Sequence, residues 1–124
     1  MKFLIVDPAR ASRDWMARVL HAAGHSVIPL QDGQQGLQAL AVGHYDSVVT
    51  DLEMPFLDGM EMIRRMRCSA DTTPVVVCAA DVSDAVRAAG KALGVAAFLV
   101  KPVSPEQFIE QLTAAANRTP VALA

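Results

Sequence analysis

Three residues in this chain have the types and positions that phosphoryl or metal chemistry needs. They are Asp7 in "FLIVDPARASR", Asp51 in "VVTDLEMPFLDGME" and Lys101 in "FLVKP". Each follows a short apolar run. Paired carboxylates can hold a hard divalent cation, and a lysine beside them counters the charge of a phosphoryl group. An aspartate can also be the nucleophile and form an acyl phosphate. One acid and one lysine would be an ordinary ion pair at loop ends. Three such residues, each closing an apolar run, call for a scaffold that gathers them.

The elements supply that scaffold. Apolar runs rich in β-formers, "KFLIV" (2–6), "SVIPL" (26–30), "SVVTD" (47–51), "PVVVCA" (74–79) and "AAFLV" (96–100), alternate with helical patterns. Nearly continuous apolar runs suit central strands covered on both faces, as in parallel sheets. The run at 26–30 contains Pro29, which lacks a ladder donor and belongs at a sheet edge.

The first helix is expected to start near Pro8 or Ala9, with Met16, Val19, Leu20 and Ala23 on its stripe and Gly24 as its stop. The second follows Asp32, buries Leu37 and Leu40 and stops near Gly43. The third runs from about Asp58 to Cys68, burying Met60, Ile63 and Met66 or Cys68. The fourth opens at Ser83, carries Val86 and Leu93 and ends at Gly94; Gly90 makes its propensity mixed and predicts a loosely held helix. The fifth has Ser104 as cap, Pro105 in the first turn and Gln107 three residues on, with Phe108, Ile109 and Leu112 facing the sheet. Residues 1–117 form the domain, and 118–124 read as a flexible tail or the start of a linker.

Alternation of this kind gives right-handed βαβ units and a doubly wound, flavodoxin-like (βα)5 α/β fold. With Pro29's strand at an edge, the five-stranded parallel sheet takes the order 2-1-3-4-5. A site is then expected at the carboxyl ends of strands 1 and 3, where Asp7 and Asp51 stand.

Composition narrows the function classes. The chain has 124 residues, 52% hydrophobic and 19% charged, enough for one domain with one core. A net charge of −2 and a pI near 5.8 argue against a broad nucleic-acid face. No apolar run reaches the roughly 20 residues of a membrane span. "MKFLIVD" meets an acid after six residues and reads as a strand, not a signal peptide. The expected compartment is the cytoplasm, with Cys68 and Cys78 as thiols.

On "FLIVD" with Arg13 downstream, "DLEMPFLDG" with Gly59 closing it, and "FLVKP", the chain resembles the receiver domains of bacterial two-component response regulators, including single-domain chemotaxis-type receivers. The resemblance covers about residues 2 to 117. It implies that Asp51 is the phosphoacceptor, that Lys101 senses the phosphoryl group and that the peptide bond before Pro102 is cis. It also implies Mg²⁺ as cofactor and a histidine kinase or phosphotransfer protein as phosphoryl donor, with a downstream target protein, no nucleic acid and no membrane. The expected state is a monomer or a weak dimer through the face of helix 4, strand 5 and helix 5.

Two departures stand out. The family usually has two adjacent acids after strand 1, and here Pro8 replaces the second. Asp7, Asp51, water and the Glu53 backbone carbonyl would then hold Mg²⁺ weakly or not at all; the Glu53 side chain could bend inward or point to solvent. At the end of strand 4, the family's Ser or Thr switch falls on Ala79. Cys78 is one residue earlier and faces the other way unless the register slips, and a thiol is a weak donor. Phe98 matches the switch aromatic on strand 5. Without a hydroxyl at Ala79 it loses its handle, and is either turned permanently inward or simply core.

Arg64 and Arg67 share a helix face, expected to be solvated like that of Arg10, Arg13 and Arg18 on the first helix. Arg forks suit phosphates, so an alternative is a module that binds a phosphorylated small molecule or second messenger through these arginines. Ala85, Ala88, Ala89 and Gly90 would let a partner approach the fourth helix. His21, His25 and His44 form no ligand set, and no general base for a hydrolase is evident. The leading expectation is an atypical receiver that works by protein–protein interaction, with weak or absent phosphorylation at Asp51. A functional phosphoacceptor at Asp51 is the alternative.

Overall fold

The computed structural model describes residues 1–118. Its elements alternate as β1 (Lys2–Val6), α1 (Arg10–Ala22), β2 (Ser26–Leu30), α2 (Gly33–Val42), β3 (Ser47–Thr50), α3 (Gly59–Cys68), β4 (Val75–Ala79), α4 (Asp84–Ala92), β5 (Ala97–Val100) and α5 (Pro105–Ala116). The strands form one parallel sheet in the order β2-β1-β3-β4-β5. Pro29 lies on the edge strand, opposite Ile5. Residues 119–124, most of the expected tail, lie outside the described residues.

Alternation along each strand sends its side chains into two apolar clusters, one per face. Phe3, Ile5, Val49, Val76, Cys78 and Leu99 pack with Met16 and Leu20 of α1 and Phe108 and Leu112 of α5. Leu4, Val6, Val48, Val75, Val77 and Ala79 pack with Met60, Met62, Ile63 and Met66 of α3, and the half-buried apolar residues of α2 and α4 close over them. Each fully buried Leu or Phe contributes about 1.5–3 kcal/mol of transfer free energy. Side chains cap four helices: Asp32, Asp58, Ser83 and Ser104 each accept the backbone N–H three residues on. Pro8 lies just before α1, whose N-cap is Ala9, and not in its first turn.

Two expectations change, and one alternative is resolved. Leu37 and Leu40 are only half-buried, because Gly33 and Gly36 bring the backbone of α2 close to its neighbours. A Cβ on Gly36 would stand 3.0 Å from Met62 Sδ and 3.1 Å from Val6 Cγ2. In α3, Met66 is buried and Cys68 is exposed. Gly90 is buried against the Phe98 ring, so it is a packing residue of α4 and offers no surface to a partner.

Candidate functional site

The sheet order brings Asp7, Asp51 and Lys101 together. Asp7 continues β1 by donating its N–H to Leu30 O, and Asp51 continues β3 by donating to Val6 O, each at 3.0 Å. Lys101 continues β5, donating its N–H to Ala79 O at 2.9 Å. Its side chain reaches back between the acids, with Nζ 2.9 Å from Asp7 Oδ2 and 3.1 Å from Asp51 Oδ2. The Lys101–Pro102 peptide bond is cis.

The two carboxylates have different surroundings. Asp7 is fully buried, and its Oδ1 accepts the Ala9 N–H at 2.8 Å. The Ser12 hydroxyl donates to Oδ2 at 2.8 Å, while the Arg13 guanidinium donates to the Asp7 carbonyl at 2.8 Å. The Asp51 side chain is 15% exposed and accepts the Leu52 N–H at 2.6 Å. Gly59 explains the last residue of "DLEMPFLDG": a Cβ there would collide with the Asp51 carbonyl, so only glycine lets α3 start against the acid's backbone.

Burial alone would lower the pKa of Lys101. The hydrogen bonds to Asp7 and Asp51 outweigh it, and the net direction is upward, so the ammonium is firmly charged. Cys78 faces the α1 and α5 side, where burial pushes its thiol up to about 11, slightly relieved by Lys101. The register has not slipped, and Cys78 is turned away from Asp51.

Asp51 opens into a cleft of about 820 Å³ lined also by Glu53, Asp58, Ala79, Asp81, Ser83 and Val86. Ala79 presents a methyl group at the end of β4 and has no donor to offer. Glu53 is exposed. Pro8 has no oxygen on its side chain, and no group of three or more His, Cys, Asp or Glu among the described residues could hold a metal ion. A lysine ammonium bridges the two carboxylates. Phe98 is half-buried against Gly90, with the Arg87 guanidinium 5.5 Å from its ring centroid.

The arginine reading needs correction. Arg67 is buried, donating Nε to Leu93 O at 2.8 Å and Nη1 to Asp71 O and Thr73 O, both at 2.9 Å. Arg64 and Arg65 pair with Glu61, and Arg10 pairs with Asp14. Arg67 left the solvated face because backbone carbonyls from two loops converge on it. No shared arginine surface on α3 is formed. The sequence reading also missed Ser12. Its signal was a hydroxyl five residues after a strand-end acid, in the first helical turn.

A family model for the response regulator receiver domain matches residues 3–113. The chain belongs to the response regulator receiver domain family. The receiver is 38% identical over 117 residues to the sensory/regulatory protein RpfC of Xanthomonas campestris pv. campestris, covering 90% of this chain and 16% of that protein. It is 37% identical over 119 residues to the response regulator MprA of Mycolicibacterium vanbaalenii, covering 96% of this chain and 52% of that one. It thus spans about half or less of these curated relatives. The chemotaxis protein CheY4 of Vibrio cholerae superposes with a TM-score of 0.86 at 28% identity, covering 92% of this chain and 97% of that one. Receiver domains act in two-component signalling, generally not as enzymes; they typically bind Mg²⁺ at this site and interact with histidine kinases or phosphotransfer proteins. No helix among the described residues is long and apolar enough to cross a membrane.

Proposed function

We propose that this chain is an atypical receiver that signals by protein–protein contact, with phosphorylation at Asp51 weak or absent and Mg²⁺ held weakly or not at all. The observation that carries the reading is a double substitution around Asp51: Pro8 offers no oxygen ligand beside Asp7, and Ala79 offers no hydroxyl on the cleft wall. The first change impairs phosphoryl transfer, which draws on a metal to neutralise developing charge. The second impairs response, since a phosphoryl oxygen would find a methyl group where it needs a donor. Asp51 is the phosphoacceptor position, Lys101 the phosphoryl-sensing lysine and Phe98 the switch aromatic. The receiver unit spans 1–117 and works in the cytoplasm. A histidine kinase or phosphotransfer protein meets the Asp51 side, and a downstream target meets the face of α4, β5 and α5.

A second reading, a working phosphoacceptor, is favoured by one observation: Asp51 stays partly exposed at a cleft while Lys101 holds its Oδ2 at 3.1 Å. One titration separates the two. The protein is incubated with Mg²⁺ and a small phosphodonor or beryllofluoride, and Trp15 emission and the amide shifts around Asp51 are followed. The atypical reading expects no saturable change. A saturable, Mg²⁺-dependent response that disappears in Asp51→Ala sinks it in favour of the second.

A further inference from the structure

Asp7 is the most heavily used acceptor at the strand ends, and one of its donors stands outside the paired-acid pattern. Oδ1 takes the Ala9 N–H, while Oδ2 takes both the Ser12 hydroxyl at 2.8 Å and the Lys101 ammonium at 2.9 Å. A carboxylate oxygen has about two acceptor positions. Both positions on Oδ2, the oxygen that Lys101 links to Asp51, are therefore filled. The carboxylate is fully buried, so no solvent-side rotation frees it. A Mg²⁺ ion needs an oxygen lone pair aimed at it in a near-octahedral set. Asp7 Oδ2 has none to give.

We propose that Ser12 is a positioning residue whose hydroxyl holds Asp7 as the partner of Lys101 and closes the paired-acid site to divalent cations, so that the lysine ammonium is the resident cation. The proposal deepens the atypical reading and rests on it only in taking metal occupancy as weak. Ser12 and residue 8 then act through one carboxylate, and their effects on metal binding are coupled. An acid restored at position 8 adds a ligand beside a carboxylate that is still engaged. Removing the Ser12 hydroxyl frees a lone pair, but with Pro8 in place no adjacent acid joins Asp7 and Asp51 to exploit it.

The test is a Mg²⁺ titration of the full chain with the wild type, Ser12→Ala, Pro8→Asp and the double variant. It is read by Trp15 emission and by the Asp51 amide shift. Trp15 is the single tryptophan and shares a cavity wall with Ser12 and Lys101. The double variant is expected to bind Mg²⁺ about tenfold more tightly than Pro8→Asp, the scale at which partners of metal ligands act. Ser12→Thr in the Pro8→Asp background keeps a hydroxyl and should match Pro8→Asp alone. The Lys101 Nζ resonance should move in Ser12→Ala and stay in Ser12→Thr. Equal affinity in the double and single variants overturns the role of Ser12 and leaves the function reading standing. Efficient phosphorylation of the wild type at Asp51, with the Ser12 coupling present, overturns the function reading alone.

Discussion

The ring of Phe98 rests on the bare backbone of Gly90, in a space that a Cβ at position 90 would occupy. The Arg87 guanidinium covers the ring from the same helix. The aromatic on β5 is thus held by α4 without help from Ala79.

Gly90→Ala should therefore destabilise the domain. An alanine normally favours a helix over glycine by about 1 kcal/mol. Here the added methyl overpacks the ring, at about 1–3 kcal/mol. The expected outcome in urea unfolding is a net loss of about 1 kcal/mol, removed when Phe98→Leu is added. A stabilised Gly90→Ala protein would show that the ring moves aside freely.

Arg67→Met should cost about 2–4 kcal/mol, because three carbonyls lose a cationic donor while the helix keeps its length. Arg67→Lys should rescue little, since an ammonium cannot reproduce the planar fork. Chemical denaturation of both variants checks the ranking; a lysine variant as stable as wild type would refute it.

Phe56 stands at φ 68° and is 94% exposed, so it carries the left-handed penalty with almost no burial to offset it. Phe56→Asn should stabilise by about 1 kcal/mol, as asparagine tolerates this conformation. Phe56→Ala removes the ring but not the penalty and should lie near wild type. Thermal unfolding of the pair decides whether backbone or ring matters.

The pH dependence follows from Lys101. Its folded pKa is raised by the two carboxylates, so the stability it adds is complete below the ordinary lysine value, about 10.4, and is lost as pH rises through the folded value. The stability gap between wild type and Lys101→Met should be constant from neutral pH to about 10 and close above it. A gap unchanged at strongly alkaline pH would mean the ammonium contributes through packing alone.

The strand order was legible because Pro29 marks an edge, and the site because the ends of β1, β3 and β5 each carry an acid or a lysine. Asp7, Asp51 and Lys101 could be placed together by topology without any contact being known. What escaped lay in contacts that link one element to another. Arg67 looked solvated because its helix is amphipathic; its partner Leu93 comes 26 residues later. Gly90 looked like weak propensity because its reason is a ring on the next strand. Ser12 looked like an ordinary first-turn residue because nothing local requires its hydroxyl to turn back to β1.

Arg67 also sets the mechanics of α4. It grips the carbonyl of Leu93, the residue that closes the helix, and ties it to the loop between α3 and β4. The opposite end begins at Ser83, on the rim of the Asp51 cleft. The 9 residues of the helix span about 14 Å between these two ends. Contacts at the cleft mouth and the Arg67 anchor therefore bear on opposite ends of one short helix.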